Sequence, residues 1–264
     1  MSVEKDNGQK KILVIIGPTG SGKTGLAVEL ALAFDGEVIS ADSRAIYKGM
    51  DIGTAKPTKA EMCGVPHYGI DLVEPNQRFT VVDFCKYAQQ KIQEIQARGH
   101  LPIIAGGTGL YVDALIYGYH FDENVKNTCS DRQEMDSKYL VIGIDWSRDE
   151  LKARLLQRSY KLFEQDIVTE TKNLAEKYSW NLQAMKSDIY PIVWQMVQGK
   201  ISREEAIHLN ATDDWHLAKR QLTWFKRNPN IVWLPLGQIK SWTSNYYKGL
   251  WFYTSFVLKL RQDE

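Results

Sequence analysis

Short apolar runs alternate with longer stretches of helical periodicity along the first 145 residues of the chain. A strand that is buried on both faces gives a continuous apolar run, whereas a surface helix repeats its apolar positions every three to four residues. The runs predict strands at residues 12–16, 37–41, 67–72, 101–105 and 139–144. The stretches between them predict helices at residues 23–34, 81–98 and 109–116. This alternation predicts an α/β fold with a parallel sheet and helices on both of its faces.

The pattern changes after Asp145, where the apolar positions take helical spacing almost to Arg227. Ser147 has the residue type of an N-cap, and Glu150 three residues later completes the pattern of a capping box. Polar breaks near residues 180 and 199 divide this helical part, and residues 231–236 predict one further strand. The aromatic-rich tail is more typical of a terminal helix packed on the core than of a surface that stacks nucleotides. We therefore expect one domain, with an α/β core at 1–145, a helical part at 146–236 and a C-terminal helix at 237–264.

Composition and charge narrow the class of protein. A hydrophobic content of 44% is ordinary for a globular chain, and a formal net charge of +1 excludes a bulk attraction to nucleic acid or membrane, so any basic surface must be local. Cys63, Cys85 and Cys129 are far apart and form no C-x-x-C pair, which indicates reduced thiols rather than disulfides or a zinc site. The polar N-terminus and the lack of a long apolar run predict a soluble, cytoplasmic protein without a membrane span.

The most informative segment is IIGPTGSGKTGL, which begins at Ile15. It fits the P-loop pattern, and it has the strand before it and the helix after it that this pattern requires. The N–H groups of such a loop bind phosphate together with the positive end of the following helix. Lys23 is predicted to reach the outer phosphates, and the Thr24 hydroxyl is predicted to coordinate Mg²⁺. The predicted phosphate-binding residues are Gly17, Pro18, Thr19, Gly20, Ser21, Gly22, Lys23 and Thr24.

Two further segments follow predicted strands, at the sheet edge where open α/β proteins place their active site. Asp42 ends the second strand, and its carboxylate could act as a general base, bind Mg²⁺ through water or only stabilise a turn. The fourth strand is followed by GGTG at residues 106–109, where three glycines favour a ligand and Thr108 is directed into the crevice. The loop DIGTAKPT at residues 51–58 is suited to line a second substrate.

Six segments occur in the order and spacing of one enzyme family. They are GPTGSGKT, SADSRAIYKGMDIGTAKPT, GVPHYGIDLVEP, FTVVDF, GGTGLY and AKRQLTWFKRNPNIVWL. Through them the chain resembles the tRNA dimethylallyltransferases, also called tRNA isopentenyltransferases, densely from Ile12 to about Tyr117 and more loosely from Leu151 to Leu234. The P-loop alone is shared by many folds, whereas DIGTAKPT followed by GVPH and GGTGLY is much more specific. The resemblance implies a sheet of the P-loop NTPase type, followed by a mainly helical C-terminal half.

The resemblance also implies a reaction. Enzymes of this family transfer a dimethylallyl group from its diphosphate to the N6 amine of the adenosine at position 37 of tRNA, beside the anticodon. The P-loop would then hold the diphosphate that leaves, with its charge neutralised by Lys23 and by Mg²⁺ on Thr24. Asp42 would accept the proton of the N6 amine, and Thr108 would contact the diphosphate or the nucleotide. The expected catalytic residues are therefore Asp42, Thr108 and Lys23.

The partners implied by the resemblance are the anticodon stem-loop of tRNA and dimethylallyl diphosphate, with the protein expected to be a monomer. The target base must leave its stack to reach a buried pocket, and backbone contacts must offset that cost. The segment from Lys219 to Arg227 places basic groups and Trp224 on neighbouring turns, which suits contacts with phosphates. The expected tRNA-binding residues are Asp42, Ser43, Arg44, Ala45, Thr108, Arg132, Lys219, Arg220, Lys226 and Arg227.

The sequence departs from the family pattern at four places. Only about forty residues separate GGTGLY from LKARL, so we expect the helical insertion that clamps the anticodon stem in bacterial members to be absent or vestigial. Ala45 stands where a glutamine lies near the target base, and Pro191 stands where an arginine lies near the diphosphate. The stretch from residue 119 to residue 136 retains little of the pattern.

These departures leave several acceptors and functions open. Besides a tRNA-modifying enzyme, the sequence is compatible with prenylation of a free adenosine nucleotide, as in cytokinin-forming relatives, and with a degenerate nucleotide- or tRNA-binding protein. A P-loop kinase for a small molecule is disfavoured, because that fold would not explain DIGTAKPT, GVPH and GGTGLY together. The retained segment AKRQLTWFKR favours tRNA, since a small acceptor would not need an outer basic segment.

Overall fold

The computed structural model of the protein describes residues 11–119, 134–186 and 189–245. In this part of the chain no helix is both long and apolar enough to cross a membrane. The strands are β1 (Ile12–Ile16), β2 (Gly36–Ser40), β3 (His67–Tyr68), β4 (Leu101–Gly106), β5 (Tyr139–Asp145) and β6 (Val232–Pro235). The helices are α1 (Lys23–Phe34), α2 (Lys59–Met62), α3 (Val81–Ala97), α4 (Gly109–Ile116), α5 (Arg148–Glu164), α6 (Ile167–Lys177), α7 (Tyr190–Val197), α8 (Arg203–Phe225) and α9 (Leu236–Asn245).

The six strands form one parallel sheet in the order β3-β2-β4-β1-β5-β6. β1 lies between β4 and β5, and all of its residues are buried. The register pairs Ile16 of β1 with Gly106 of β4, and Ser40 of β2 with Ala105 of β4. The loops after β1, β2 and β4 therefore leave the sheet at the same edge. The predicted α/β fold with a parallel sheet is confirmed.

Alternate residues of β1 face opposite layers of helices, as the two-residue period of a strand requires. Ile12, Val14 and Ile16 belong to a buried cluster that also contains residues of α3 and α4. Leu13 and Ile15 belong to a second cluster with residues of α1. Both faces of the sheet are thus covered by helices, which leaves the C-terminal ends of its strands for a site.

The second half of the chain is helical, and its predicted start is confirmed. Ser147 and Glu150 form a capping box in which each side chain accepts a hydrogen bond from the backbone N–H of the other residue. The breaks predicted near residues 180 and 199 fall between α6, α7 and α8. A further break was not predicted: α5 and α6 are separate, and Asp166 caps α6 by accepting a hydrogen bond from the Thr169 N–H at 3.2 Å.

Other differences from the prediction have local causes. β3 stops at Tyr68 instead of continuing to residue 72, because Gly69 and Asp71 adopt left-handed conformations, with φ of 80° and 53°, that a strand does not contain. The last strand is shorter than predicted, and Leu236 begins α9. The short helix α2, capped by Thr58, was not predicted. The tail after residue 245 and the region of residues 120–133 lie outside the described residues.

A buried carboxylate joins three elements at the amino end of β2. The Glu37 side chain is 3% exposed and accepts hydrogen bonds from Arg98 Nε at 2.9 Å, from Arg98 Nη2 at 2.7 Å and from the Tyr68 hydroxyl at 2.7 Å. His100 Nδ1 lies 2.6 Å from the same carboxylate. The Arg98 hydrogen bonds lower the pKa of Glu37 to about 2, although burial opposes this shift. This cluster fixes the edge of the sheet that faces away from the P-loop.

We expect Glu37→Gln to lower the free energy of unfolding at pH 7 by about 2 to 3 kcal/mol, because the Arg98 guanidinium loses its buried counter-charge. A carboxyl group with a pKa of about 2 in the folded protein, against 4.5 ordinarily, contributes its full stabilisation above pH 4.5 and loses it as the pH falls towards 2. Urea titrations across this interval should therefore show a steeper loss of stability for the wild type than for the variant. The exposed substitution Glu176→Gln is the control, and equal effects of both substitutions would contradict this role of Glu37.

Candidate active site

The P-loop follows β1, and neighbouring side chains hold its carbonyl groups from outside. Arg154 Nε donates to the Gly20 carbonyl at 3.0 Å, and the Trp146 indole N–H donates to the Ser21 carbonyl at 3.0 Å. Because α1 begins at Lys23, the first N–H groups of this helix have no carbonyl one turn earlier to bind. Free amides at a helix N-terminus attract anions. The geometry of the loop at residues 17–24 thus suits a phosphate group.

The Lys23 ammonium group lies inside this loop. Its Nζ donates a hydrogen bond to the Pro18 carbonyl at 2.7 Å. Burial lowers the pKa of Lys23 from 10.5 to about 8, while the nearby Asp42 carboxylate opposes the shift and Arg158 adds to it. An anionic ligand beside Lys23 would stabilise the charge that burial disfavours.

We expect the affinity for diphosphate to fall as the pH rises above about 8, because the unliganded protein then loses the Lys23 proton that binding has to restore. Titration calorimetry of diphosphate in buffers of different ionisation enthalpy should show proton uptake near this pH. The Lys23→Ala variant is the reference, since the titration of diphosphate itself is common to both proteins. A wild-type pH profile parallel to that of the variant would rule out Lys23 as the titrating ligand.

Asp42 and Thr108 come from neighbouring loops and are linked through Ser43. Thr108 Oγ1 accepts a hydrogen bond from the Ser43 N–H at 2.9 Å and donates one to Ser43 Oγ at 3.2 Å. Asp42 Oδ1 accepts a hydrogen bond from the Arg44 N–H at 2.8 Å, which is the turn role that the sequence left open. All these residues line the cleft into which the P-loop opens. The side chain of Asp42 therefore stabilises a turn and faces the cleft at the same time.

The glycines of the turn at residues 106–109 are explained by contacts within the protein. A Cβ atom at Gly106 would lie 2.2 Å from the carbonyl oxygen of Ala41, in the loop after β2. A Cβ atom at Gly109 would lie 2.4 Å from Cδ1 of Trp224 in α8. Close approach of the chain to itself therefore accounts for glycine at these two positions, and contact of the turn with a ligand stays a prediction.

Gln221 of α8 joins this turn to the P-loop. Its Oε1 accepts a hydrogen bond from the Thr19 N–H at 2.7 Å, and its Nε2 donates one to the Gly107 carbonyl at 3.0 Å. Gln221 lies in one of the six segments that carry the family resemblance, but no role was predicted for it. One carboxamide thus fixes two loops of the site relative to each other.

A guanidinium from α5 also reaches the P-loop. Arg158 Nη1 donates to Thr19 Oγ1 and to Asp214 Oδ2 of α8, both at 2.7 Å. Desolvation raises the pKa of Asp214, although the charge of Arg158 opposes this shift. Neither residue was predicted from the sequence. Arg158 alone had a signal in the sequence, because it lies one turn after Arg154 on a helix that directly follows a strand end, whereas nothing in the sequence pointed to Asp214.

A carboxylate from α6 holds the loop at residues 51–58. Glu170 accepts hydrogen bonds from the N–H groups of residues 51, 52 and 53 at 3.1, 2.8 and 2.9 Å, and from the Tyr190 hydroxyl at 2.8 Å. Three successive N–H groups directed at one carboxylate fix the conformation of the backbone there. The residues of this loop that line the cleft are Gly53, Thr54, Ala55 and Pro57.

The expected tRNA-binding residues have three different positions. Those that line the cleft are Asp42, Ser43, Arg44, Thr108 and Arg220. Lys219, Lys226 and Arg227 are exposed, and each lies within 6 Å of a tryptophan ring. Ala45 is only 5% exposed and does not line the cleft, so the expected tRNA contact of this side chain is wrong. Arg132 lies outside the described residues.

Trp224 stands at the cleft with its ring held in place. It is 36% exposed, and its indole N–H donates to Asp113 Oδ2 at 2.9 Å. Asp113 is 5% exposed, and the indole also lies against Gly109. The ring therefore has a fixed orientation while part of it stays open to solvent, which is the arrangement of a stacking surface.

The cleft as a whole has a volume of about 1390 Å³. Pro191 lines it near the start of α7, so the position where the family carries an arginine offers no charge here. Arg154, Arg158 and Arg220 line the same cleft. The cleft thus contains guanidinium groups from α5 and α8 that could take the place of the missing one.

The residues present suit Mg²⁺ only together with phosphate oxygens. The Thr24 hydroxyl and the Asp42 carboxylate both line the cleft and are the hard oxygen ligands that Mg²⁺ prefers. Among the described residues, no group of three or more His, Cys, Asp and Glu side chains could hold a metal ion. A magnesium ion here would take its remaining ligands from the diphosphate and from water, as is usual at phosphate sites.

Known families match this chain over most of its length. The profile of the IPP transferase family matches residues 45–138 and 123–228, and that of the isopentenyl transferase family matches residues 10–73. The tRNA dimethylallyltransferase of Staphylococcus haemolyticus is 36% identical over 284 aligned positions, which cover 84% of this chain and 86% of the relative. That of Acetivibrio thermocellus is 34% identical and covers 84% and 91%. Since the alignments are longer than this chain, these relatives carry residues that have no counterpart here.

Solved structures show the same fold. The tRNA isopentenylpyrophosphate transferase of Bacillus halodurans superposes with a TM-score of 0.81 at 29% identity, over 96% of this chain and 98% of that one. The corresponding enzyme of Staphylococcus epidermidis gives a TM-score of 0.78 at 32% identity, over 95% and 100%. By the family profile, the sequence identity and the shared fold, this chain is a member of the IPP transferase family, the tRNA dimethylallyltransferases.

Proposed function

We propose that this protein transfers a dimethylallyl group from dimethylallyl diphosphate to the N6 amine of the adenosine at position 37 of tRNA. The observation that carries the proposal is a single cleft lined by groups for both halves of the reaction, namely Lys23 of the P-loop together with Asp42 and Thr108. The names of the relatives support a dimethylallyl donor and a tRNA acceptor.

The bond that breaks joins the allylic carbon of the donor to an oxygen of the diphosphate. Negative charge grows on that oxygen, and preorganised cations and N–H groups lower the barrier by stabilising it. Lys23, the amides of the P-loop and Arg158, which is already hydrogen-bonded to Thr19, would supply this stabilisation. Mg²⁺ held by Thr24 would add Lewis-acid neutralisation of the diphosphate. The P-loop would thus hold a leaving group, and no phosphoryl group would be transferred.

The bond that forms joins the N6 nitrogen to the allylic carbon. This amine is a weak nucleophile, because its lone pair is delocalised into the purine, and its proton has to pass to a base. Asp42 would accept the proton, with its carboxylate already oriented by the Arg44 N–H, and Thr108 would contact the reacting groups. A positioned base of this kind contributes typically about 10² to 10⁴-fold in rate.

The size of the cleft favours a nucleotide that is part of a macromolecule. At about 1390 Å³ it exceeds the roughly 300 to 1,000 Å³ of ordinary small-molecule sites. Arg220 lines it, and the fixed ring of Trp224 offers a face on which a base beside the target adenosine could stack. A free adenosine nucleotide would leave the outer part of the cleft unused.

Labelled dimethylallyl diphosphate, with Mg²⁺ and an equal mixture of an anticodon stem-loop and adenosine monophosphate, tests the acceptor. We expect label in the RNA and none in the free nucleotide. Label in adenosine monophosphate would move the protein to the cytokinin-forming class. Label in neither acceptor, with diphosphate still bound, would indicate a degenerate binding protein and would contradict the proposal.

A further inference from the structure

Three cations surround one tryptophan on the pair of helices α5 and α8. Arg148 and Lys152, one turn apart on α5, lie 5.4 and 5.3 Å from the centroid of the Trp215 ring. Lys219, one turn after Trp215 on α8, lies 5.8 Å from it. We refer to Arg148, Lys152, Trp215 and Lys219 as the Trp215 patch. Its indole packs against Leu151, Leu155 and Ala218, which holds the ring in place.

The patch is separate from the candidate active site. None of its residues lines the cleft, although Arg154 and Arg158 of the same helix do. Arg148, Lys152 and Lys219 are exposed to solvent, and Trp215 is half-buried between the two helices. A ligand could therefore contact the patch while another part of the same molecule occupies the cleft.

The charge of the patch is unbalanced. Within the part of the chain that the structure describes, none of the ion pairs involves Arg148, Lys152 or Lys219. The whole chain has a formal net charge of only +1, so this excess is local. Arg148 is also the first residue of α5, where the positive end of the helix disfavours a cation, although Asp149 and Glu150 of the same turn partly offset this effect. A bound anion would relieve both the mutual repulsion and this unfavourable position.

We propose that the Trp215 patch binds the sugar–phosphate backbone of tRNA outside the anticodon loop. The proposal rests on the proposed function of the cleft and adds a second contact to it. Closely spaced cations match the closely spaced phosphates of RNA, and a partly exposed ring among them can contact a ribose or an unstacked base. A contact of this kind offsets the cost of turning the target base out of its stack.

The test is the triple variant Arg148→Gln/Lys152→Gln/Lys219→Gln. Its matched control is Lys86→Gln/Lys172→Gln/Lys200→Gln, which removes the same charge from exposed positions elsewhere. Affinity for full-length tRNA is measured over a range of KCl concentrations. For the patch variant we expect the affinity for tRNA to fall to about one-tenth of the wild-type value or below. The slope of log affinity against log salt concentration should decrease in magnitude by about two to three. KM for tRNA should rise, while kcat and diphosphate affinity stay at the wild-type values.

Trp215→Leu is the second variant, because it keeps an apolar side chain between the helices and removes only the ring. It should also weaken tRNA binding, without changing the salt slope. Equal tRNA affinity and equal salt slope for the patch variant and its control would overturn the proposal. An acidic protein surface would then be the remaining candidate to bind the Trp215 patch. If no RNA accepts a prenyl group but patch-dependent tRNA binding persists, the proposed function fails and the assignment of the patch stands.

Discussion

The Asp42→Asn variant should lose nearly all transfer activity while it keeps its affinity for diphosphate. The amide oxygen of asparagine can still accept the hydrogen bond that the Arg44 N–H donates to Asp42 Oδ1, so the turn is preserved. The variant cannot accept the proton of the attacking amine, and we expect kcat/KM to fall by about 10² to 10⁴-fold. Diphosphate should still bind, because the Lys23 ammonium group and the free N–H groups at the start of α1 are retained.

Single-turnover transfer to an anticodon stem-loop, with a parallel titration of diphosphate, measures both quantities. Asp149→Asn makes the same replacement of a carboxylate by a carboxamide at an exposed position, and it serves as the control. Near-normal transfer by Asp42→Asn would show that another group takes the proton. Loss of transfer together with loss of diphosphate binding would assign Asp42 to the donor site instead.

Lys23→Ala should weaken diphosphate binding and slow transfer together. The ammonium group lies in the P-loop, where it is hydrogen-bonded only to the Pro18 carbonyl among the contacts of the described residues, and it would meet the charge that grows as the diphosphate leaves. Removal of one preorganised donor of this kind typically costs about 10² to 10³-fold in rate. Transfer rates at saturating donor and diphosphate titrations separate the two effects.

The exposed substitution Lys86→Ala is the control for the loss of a lysine, since it lies on α3 and does not line the cleft. Unchanged diphosphate affinity in Lys23→Ala would remove the phosphate-binding role from Lys23. Weaker binding with an unchanged rate at saturating donor would limit its role to the ground state.

The bounds of those helices and strands that depend on local chemistry could be predicted from the sequence. The bounds of β1, α1 and α4 agree with the prediction, because a fully buried run or a regular apolar repeat ends where the burial ends. The capping box of Ser147 and Glu150 likewise depends only on residues three apart. β3 was overextended, because the left-handed residues Gly69 and Asp71 follow a run whose apolar pattern continues.

The site was predictable only where it follows the strand ends. Asp42 and Thr108 could be placed together, because parallel strands end at a common edge of the sheet. Gln221 lies 202 residues away from Thr19, and its contact depends on where α8 crosses the P-loop. Arg158 and Asp214 meet through the packing of α5 on α8, for which the sequence contains no spacing signal. Ala45 was misassigned because its neighbours in sequence face the cleft, whereas its own side chain is buried.

The P-loop is proposed to hold a diphosphate that leaves as the prenyl group moves to an N6 amine. The direct test measures released diphosphate, orthophosphate and prenylated RNA in one reaction with an anticodon stem-loop. A second stem-loop carries purine riboside, which lacks only the 6-amino group, at position 37. We expect equal amounts of diphosphate and N6-prenylated adenosine with the first RNA, no orthophosphate, and neither product with the second. Orthophosphate release would show that the P-loop does not hold an intact leaving diphosphate, and equal prenylation of both RNAs would show that the N6 amine is not the acceptor.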